Sequence, residues 1–256
     1  MQKQADIIPA SRFKWQAELP ESTQAEMRAA FASDGFLILD KFATDAECAA
    51  MRQQTDRLID SFDETQDQVV FSASGQSHAA SHYFMDSASN ISCFLEAGAV
   101  DKSGQLVKPK SQAINKIGHA LHDLDPVFSG FSRQEKCAQL VTLLGMQAPL
   151  LLQSMVICKQ PFIGAEVNAH QDSTFLYTSP ESCIGLWLAL EPATRENGCM
   201  WAARGGHNTA LTSRFHKIGD EMVMTRLSET ELAACSTPLE ADTGTVADLA
   251  HPLTAT

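Results

Sequence analysis

The hydrophobic pattern of this chain changes at Leu150-Leu151-Leu152-Gln153-Ser154-Met155-Val156-Ile157-Cys158-Lys159. Before this run, Asp123 to Gly145 carries apolar side chains at helical spacing, whereas the chain after Pro149 is a series of short apolar runs separated by Gly, Pro and polar turns. The predicted strands are Leu150 to Lys159, Cys183 to Leu190, Cys199 to Ala203 and Thr245 to Ala250. Their spacing favours an antiparallel barrel or sandwich over a sheet of alternating strands and helices.

The part of the chain before this change is predicted to be helical and mixed. Thr23-x-x-Glu26 has the form of a capping box that begins a short helix, which Gly35 ends. The run 36–39 suits a buried strand, and Thr44-x-x-Glu47 opens a second helix. Residues 61–90 are rich in Ser, Gln and Asp and are predicted to form a long surface loop. We expect one domain over residues 1–256, with a helical and mixed part at 20–145 and a mainly β part at 149–256.

Composition narrows the classes of partner and compartment. The chain has 19 Lys and Arg against 31 Asp and Glu, a formal charge of -12, which opposes attraction to nucleic acid or to anionic membranes. The seven cysteines are scattered and form no Cys-x-x-Cys pair, which is typical of free thiols in a reducing compartment. Neither a signal peptide nor a membrane span is evident. The expectation is an intracellular, cytoplasmic protein whose partner is a small molecule.

The run Asn168-Ala169-His170-Gln171-Asp172 contains the candidate metal ligands. On an extended segment, side chains alternate with a period of two, so His170 and Asp172 would lie on one face and could bind one ion. An imidazole and a carboxylate suit Fe(II), and two His with one carboxylate leave the opposite side of the ion open. The same pattern is frequent by chance, with a surface loop as the plain alternative.

Five separate runs resemble the phytanoyl-CoA dioxygenase family, most closely its phytanoyl-CoA dioxygenase domain-containing branch, between Ser33 and about Ser213. The matching runs are Asp34-Gly35-Phe36-Leu37-Ile38-Leu39, Ile114-Asn115-Lys116-Ile117-Gly118-His119-Ala120-Leu121-His122, Gln153-Ser154-Met155, Val167 through Thr178, and Glu196-Asn197-Gly198-Cys199-Met200-Trp201. The resemblance implies an α+β, mainly β fold: a double-stranded β-helix, or cupin-like jelly roll, flanked by N-terminal helices.

The resemblance also implies a reaction and its residues. It makes His170 and Asp172 ligands of Fe(II), and it places Lys116, Met155 and Trp187 at positions that contact 2-oxoglutarate. Gln171, between the two ligands, is a further candidate contact with the cosubstrate. The implied activity is hydroxylation of a small organic substrate by O2, with decarboxylation of 2-oxoglutarate to succinate. From the residues alone, Lys116 also fits a solvated lysine, and Met155 and Trp187 also fit core positions.

The C-terminal region departs from the family pattern. Family members have a first His after a Gly and an aliphatic strand, a distal iron-binding His five residues later, and an Arg for the cosubstrate about nine residues beyond. Residues 244–251 resemble the beginning of this region, which makes the last strands incomplete and puts Thr256 at the position of the distal His. His251 is a candidate third ligand, and a loop histidine is the alternative.

Three function hypotheses therefore stay open: an active dioxygenase, an impaired or truncated family member that acts as a binding or regulatory protein, and a damaged product of an enzyme gene that lacks barrel closure. Arg204, in the turn before His207, is a candidate replacement for the missing Arg, with an exposed turn arginine as the alternative. A local basic region consists of Lys102, Lys108, Lys110 and Lys116. It would steer an anionic substrate or the cosubstrate, or it is a solvated loop.

Overall fold

The computed structural model describes residues 12–64, 69–70, 82–164, 166–219, 221–228 and 250–253. Its helices are α1 (Glu21–Asp34), α2 (Asp45–Ser61), α3 (His82–Asp86), α4 (Leu121–Leu124), α5 (Pro126–Ser132) and α6 (Glu135–Leu143). Its strands are β1 (Arg12–Lys14), β2 (Ile38–Asp40), β3 (Ile91–Leu95), β4 (Ile114–His119), β5 (Ser154–Ile157), β6 (Met200–Ala203), β7 (Ser213–Ile218), β8 (Glu221–Arg226) and β9 (Ala250–Leu253). The protein is thus an α+β protein, as predicted.

The predicted order of helix, strand and helix at the N-terminal end is confirmed. The first helix begins after Pro20, whose carbonyl accepts the Gln24 N–H, so the capping box expected at Thr23 is wrong. Gly35 ends it with φ +81°, a conformation that glycine adopts without steric cost. The second helix has the predicted capping box, since the Thr44 hydroxyl accepts the Glu47 N–H and the Glu47 carboxylate accepts the Thr44 N–H. Between the helices, β2 pairs in parallel with β1.

The predicted helix from Asp123 to Gly145 is three helices. Asp125 interrupts the pattern, because its carboxylate accepts the Val127 and Phe128 N–H groups and so caps the start of α5. Pro126 at the first helical position favours a new start for the same reason. Asp125 is buried and also accepts a hydrogen bond of 2.6 Å from Gln54 of α2, which fixes α5 against that helix.

An antiparallel sheet of β3, β4 and β5, with β4 in the middle, carries the core. The core cluster consists of Ile59, Cys93, Leu95, Ala99, Ala113, Ile114, Ile117 and Leu121. Two of these strands, β3 and β4, fall within the part of the chain predicted to be helical and mixed, so the core sheet begins before the mainly β part that the sequence pattern predicts. The predicted strand at Leu150 to Lys159 is confirmed only over Ser154–Ile157.

The C-terminal half contains two further antiparallel pairs, β6 with β9 and β7 with β8. The strand predicted from Cys183 to Leu190 is wrong, since no strand is assigned there. The strand predicted from Cys199 to Ala203 is confirmed as β6. Of the strand predicted from Thr245 to Ala250, only Ala250 lies within the described residues, where it begins β9.

The long loop predicted for residues 61–90 contains helix α3 and a 3-10 turn at Ser87–Ser89, and its central part lies outside the described residues. The six described cysteines are free thiols, as predicted. Among the helices that the structure describes, none has both the length and the apolar composition that a bilayer crossing requires.

Candidate metal centre

His170 and Asp172 lie in a loop and not on the extended strand that the sequence predicts. Asp172 begins a 3-10 turn over Asp172–Thr174, and its carbonyl accepts the Phe175 N–H at 2.9 Å. The turn nevertheless brings the two predicted ligands together, with 3.4 Å between His170 Nε2 and Asp172 Oδ1. The predicted pairing is therefore present, although its backbone basis is different.

The other ring nitrogen of His170 has a partner of its own. His170 Nδ1 lies 2.8 Å from the carbonyl oxygen of Asn168. Because a carbonyl only accepts, Nδ1 carries the proton and donates it. Nε2 faces the Asp172 carboxylate and donates to it when the imidazole is protonated, and loss of that proton leaves on Nε2 the lone pair that could bind a metal ion. A histidine that binds a metal through one nitrogen commonly donates its other N–H to a carbonyl in this way.

The two side chains shift each other's protonation. The hydrogen bond to Asp172 raises the pKa of His170 above its usual value, although partial burial opposes this, and the Asn168 carbonyl adds to the increase. In turn, the hydrogen bond from His170 lowers the pKa of Asp172. The His170 side chain is 44% exposed and that of Asp172 is 68% exposed, so solvent and ions reach both. The pair is an accessible donor set with a charged carboxylate at neutral pH.

Apolar groups border this pair on two sides. The Phe175 ring lies edge-on to the His170 ring, with 6.1 Å between centroids, and its other neighbour is Phe215 of β7 at 5.9 Å. A Cβ built on Gly185 would lie 3.7 Å from Asp172 Oδ2, so the segment predicted as a strand passes beside the carboxylate. The donors thus open toward solvent while aromatic rings and a backbone segment limit their motion.

The Gln171 amide points to a turn at residues 205–209. Its Nε2 donates to the Gly206 carbonyl at 2.9 Å, and to the carbonyl and hydroxyl oxygens of Thr209 at 3.0 and 3.1 Å. These bonds do not test whether Gln171 contacts the cosubstrate, so that role stays a prediction.

This turn is also fixed to the end of α1. The Gly205 N–H donates to the Asp34 carbonyl at 2.9 Å, and Arg204 Nη2 lies 3.5 Å from the buried Asp34 carboxylate. His207 Nε2 donates to the Ala32 carbonyl at 3.2 Å, and its ring occupies the space that a Cβ on Gly35 would need. Arg204 is an exposed residue of this turn, as the alternative predicted, and its guanidinium pairs with a carboxylate of the protein itself.

Lys116 lies on the central strand β4 and is 8% exposed, so the interpretation as a solvated lysine is wrong. Its ammonium lies over the rings of Phe84 and Phe94, at 5.9 and 5.6 Å from their centroids. Burial lowers its pKa to about 8. The neighbouring His119 has its pKa lowered to about 4 by burial and by Lys116. An anion that reached Lys116 would favour the protonated ammonium.

Met155 and Trp187 are both accessible. Met155 lies on β5 opposite Gly118, is 37% exposed, and has its Cβ 3.3 Å from the position that a Cβ on Gly118 would take. Trp187 is 51% exposed in the segment without a strand. The alternative that these two residues are core residues is therefore wrong, and their exposed apolar surfaces are available to a ligand.

His251 lies in β9 opposite Ala202 of β6, and its side chain is outside the described part of the structure. Its backbone is thus paired with the strand that leads directly into the turn at residues 205–209. Over the residues that the structure describes, no group of three His, Cys, Asp or Glu side chains is placed to hold a metal ion. The described donor set is the pair His170 and Asp172.

Comparison with known proteins identifies the family. A family model described as phytanoyl-CoA dioxygenase (PhyH) matches residues 31–246. This chain belongs to the phytanoyl-CoA dioxygenase family. It is 45% identical over 185 residues to a phytanoyl-CoA dioxygenase of Arabidopsis thaliana, a match that covers 72% of this chain and 65% of the relative.

Two further relatives of this family are similar to the chain. Phytanoyl-CoA dioxygenase 1 of Oryza sativa subsp. japonica is 47% identical over 192 residues, which are 75% of this chain and 67% of the relative. Phytanoyl-CoA dioxygenase domain-containing protein 1 of Bos taurus is 41% identical over 195 residues, which are 72% of this chain and 66% of the relative. The chain thus spans about two thirds of the length of the curated relatives that it matches.

These matches confirm the family resemblance found in the sequence. The sequence did not reveal which residues hold the ligand pair in place. Asn168 acts through its backbone carbonyl, which leaves no trace in residue type. Gly206 and Thr209 accept from Gln171 across more than 30 residues of chain. The Gly-Gly-His-Asn-Thr composition predicts a turn, but it does not predict which side chain the turn receives.

Proposed function

We propose that this chain is an Fe(II)- and 2-oxoglutarate-dependent dioxygenase that hydroxylates a small organic substrate. The observation that carries the proposal is the pair His170 and Asp172, with donor atoms 3.4 Å apart and the proton of the imidazole fixed on Nδ1. Membership in the phytanoyl-CoA dioxygenase family supports the same class of reaction.

The donor pair fits one metal ion. Two donors that each lie about 2.1 Å from an ion, at right angles, are about 3 Å apart, close to the separation in this structure. We propose His251 as the third ligand, because its backbone pairs with the strand before the turn that holds Gln171. When bound, the iron would supply the activation of O2 coupled to decarboxylation of 2-oxoglutarate to succinate and carbon dioxide.

The roles of the other residues follow from their positions. Lys116 provides a buried positive charge for a carboxylate of 2-oxoglutarate, and desolvation makes such a contact stronger than it would be in water. Met155 and Trp187 offer exposed apolar surface that would line the same pocket. Asp172 keeps a carboxylate at the metal, which favours hydroxylation, since a small residue at this position would leave room for a halide.

Two of the four lysines in the predicted basic region contact carbonyl groups of the protein. Lys110 donates to the Asp60 and Phe62 carbonyls at 2.9 and 2.8 Å, so it fixes the C-terminal end of α2. Lys108 lies 3.4 Å from the Pro161 carbonyl. We therefore propose Lys116 as the residue of this set that meets an anion, and the substrate itself as a small molecule without a defined charge.

We propose that residues 1–256 form one domain whose strands belong to a double-stranded β-helix, or jelly roll. The antiparallel pairs β3–β4–β5, β6–β9 and β7–β8 support this arrangement, since such a fold is made of antiparallel strands. The helices α1 and α2 would then be the flanking N-terminal helices.

The test is iron-dependent release of succinate. The purified chain would be loaded anaerobically with Fe(II), mixed with 2-oxoglutarate and O2, and assayed for succinate. We expect His170→Ala and Asp172→Ala to reduce release at least 100-fold, whereas His216→Ala, whose imidazole on β7 contacts Thr225 Oγ1 at 2.9 Å, keeps it. Absence of succinate from the unchanged chain at every iron concentration would refute the enzyme. Binding of 2-oxoglutarate without succinate would instead identify a binding protein.

A further inference from the structure

The side chain between the two proposed ligands is the best-anchored group of their loop. Gln171 is partly buried, and its two amide N–H groups lie within hydrogen-bond distance of three oxygens of the turn at residues 205–209, so one N–H is shared between two acceptors. The ligand side chains on either side of it are largely exposed, and the ion pair between them spans 3.4 Å. The position of the ligand loop therefore depends on where that turn is.

The turn is held by hydrogen bonds between its own residues. The Asn208 N–H donates to the Gly205 carbonyl at 3.0 Å, and the Thr209 N–H donates to the Gly206 carbonyl at 3.2 Å. The Thr209 hydroxyl donates to the same Gly206 carbonyl at 2.7 Å, which leaves its lone pairs to accept from Gln171. Gln171 thus donates to oxygens that belong to a hydrogen-bonded turn.

Hydrogen bonds also attach the turn at residues 205–209 to the N-terminal part of the chain. Its contacts with α1 include the Gly205 N–H to the Asp34 carbonyl, Arg204 to the Asp34 carboxylate, and His207 to the Ala32 carbonyl. A continuous series of hydrogen bonds therefore runs from the end of α1, through the turn, to the residue between His170 and Asp172.

We propose that Gln171 is a positioning residue that holds His170 and Asp172 in their metal-binding arrangement through the turn at residues 205–209, and that it does not contact 2-oxoglutarate through its amide nitrogen. This inference rests on the proposed function. Fixing one residue of an exposed loop removes conformational entropy that metal binding would otherwise have to oppose. Loss of partners that orient metal ligands commonly weakens metal affinity about 10- to 100-fold.

The variant that tests the role is Gln171→Met, which keeps an unbranched side chain of similar length and removes the amide. Co(II) serves as the probe, and its affinity is measured by titration of its absorption bands with the metal-free chain. We expect a dissociation constant at least 10-fold higher than that of the unchanged chain, with altered band intensities because the donors are less ordered. Thr209→Val, which removes one of the three acceptors, should give a smaller increase.

Thr178→Val is the matched control. The Thr178 hydroxyl contacts Ser182 at 3.1 Å in the segment that follows the ligands, so this variant removes a hydroxyl near the loop without touching the turn. We expect its Co(II) affinity to equal that of the unchanged chain. Hydrogen exchange at residues 168–172 in the metal-free chain gives a second readout, and it should be faster in Gln171→Met than in Thr178→Val.

Three outcomes would overturn the inference, and they are distinct from one another. Unchanged Co(II) affinity and exchange in Gln171→Met, with a higher KM for 2-oxoglutarate, would show a direct cosubstrate contact. A lower unfolding temperature of the metal-free variant with unchanged Co(II) affinity in its folded form would show a general structural role. Failure of the unchanged chain to bind Co(II) would refute the proposed function together with the inference.

Discussion

Lys116 and His170 are both proposed to meet ligands, yet the sheet that carries Lys116 and the loop that carries His170 are built differently. Lys116 lies on the central strand of a three-stranded sheet, next to the fully buried Ile117 and opposite the fully buried Phe94. His170 lies in a loop in which the neighbouring residues 166–169 are exposed. The sheet is held by a ladder of backbone hydrogen bonds and by apolar burial. The loop is held by a few side-chain hydrogen bonds, one to the nearby Asn168 carbonyl and others to the distant turn at residues 205–209.

This difference separates stability from chemistry. Burial of apolar side chains is the dominant favourable contribution to folding, so the sheet should determine the free energy of unfolding. The exposed loop buries little, so substitutions there should change ligand binding with small effects on stability. Functional groups on loops that a rigid scaffold positions are a common arrangement in proteins.

The largest effect is expected for Ile117→Ala in the centre of the sheet. Ile117 is 0% exposed within the core cluster, and its truncation should lower the free energy of unfolding by about 3 kcal/mol, as measured by urea denaturation. Ile157→Ala is the matched control on the adjacent strand, where the side chain is 48% exposed, and a loss below about 1 kcal/mol is expected. Equal losses in the two variants would contradict the assignment of the core to this face.

The next effect depends on pH and concerns the buried charge in the sheet. Burial lowers the pKa of Lys116 to about 8 in the folded protein, below the usual value of 10.5, so the unfolded chain binds more protons between these two values. Burying the Lys116 ammonium therefore lowers the free energy of unfolding of the unchanged protein. This penalty is complete below pH 8 and disappears as the pH rises through 10.5. Lys116→Met removes it, and its stability advantage should shrink by up to about 3 kcal/mol between pH 7 and pH 10.5.

The measurement is the difference between the unfolding free energies of the two proteins at each pH, which cancels the titration of all other groups. Lys102→Met, on an exposed residue, is the control and should show a constant difference. If the Lys116→Met difference is also constant from pH 7 to pH 10.5, the ammonium is not desolvated and would be a weaker partner for an anionic cosubstrate than proposed.

The sequence predicted features that depend on neighbours along the chain. The capping box at Thr44 and Glu47 and the end of α1 at Gly35 follow from local hydrogen bonds and from glycine's freedom at positive φ, and both are confirmed. The pair His170 and Asp172 is close in space because only one residue separates them. The family was also evident, because the five runs that carry it are contiguous stretches of sequence.

Features that depend on distant partners were not predictable. The apolar run at residues 183–190 suits a strand, but a strand needs a partner with free backbone groups, and this segment lies beside Asp172 instead. Asp34 looked like part of a family motif, whereas its actual partners are Arg204 and the Gly205 N–H, about 170 residues away. The role of Gln171 depends on the same turn, so no local pattern could indicate it.

A smaller effect is expected where the ligand loop is anchored to α1. Gly35 and Gly98 both have φ +81°, so alanine at either position costs about 1 kcal/mol for the left-handed conformation. A Cβ at Gly35 would also overlap the His207 ring, whereas a Cβ at Gly98 would meet nothing within 4 Å. Gly35→Ala should therefore lose about 1 kcal/mol more than Gly98→Ala in urea denaturation. It should also weaken Co(II) binding, which Gly98→Ala should leave unchanged. Equal losses of stability would mean that His207 moves without cost, and the turn would then be a weaker anchor than the structure indicates.

The last prediction needs no substitution. It compares the alkylation rate of one thiol in the sheet with that of one thiol beside the ligand loop. Cys93 lies in β3, and burial, with a contribution from Cys158, raises its pKa to about 12. Cys183 is only partly buried, and burial together with Asp172 also raises its pKa. Because the thiolate is the reacting form, an alkylating reagent at pH 8 should modify Cys93 only through opening of the sheet, whereas Cys183 reacts in the folded protein. Peptide mapping by mass spectrometry should therefore find Cys183 labelled at least 10-fold faster. Addition of Co(II) should speed the labelling of Cys183 and leave Cys93 unchanged, because a cation at Asp172 would offset the negative charge that raises the pKa of the Cys183 thiol. Equal labelling rates would show that the sheet opens as readily as the ligand region, and the division between a stable sheet and an accessible loop would then fail.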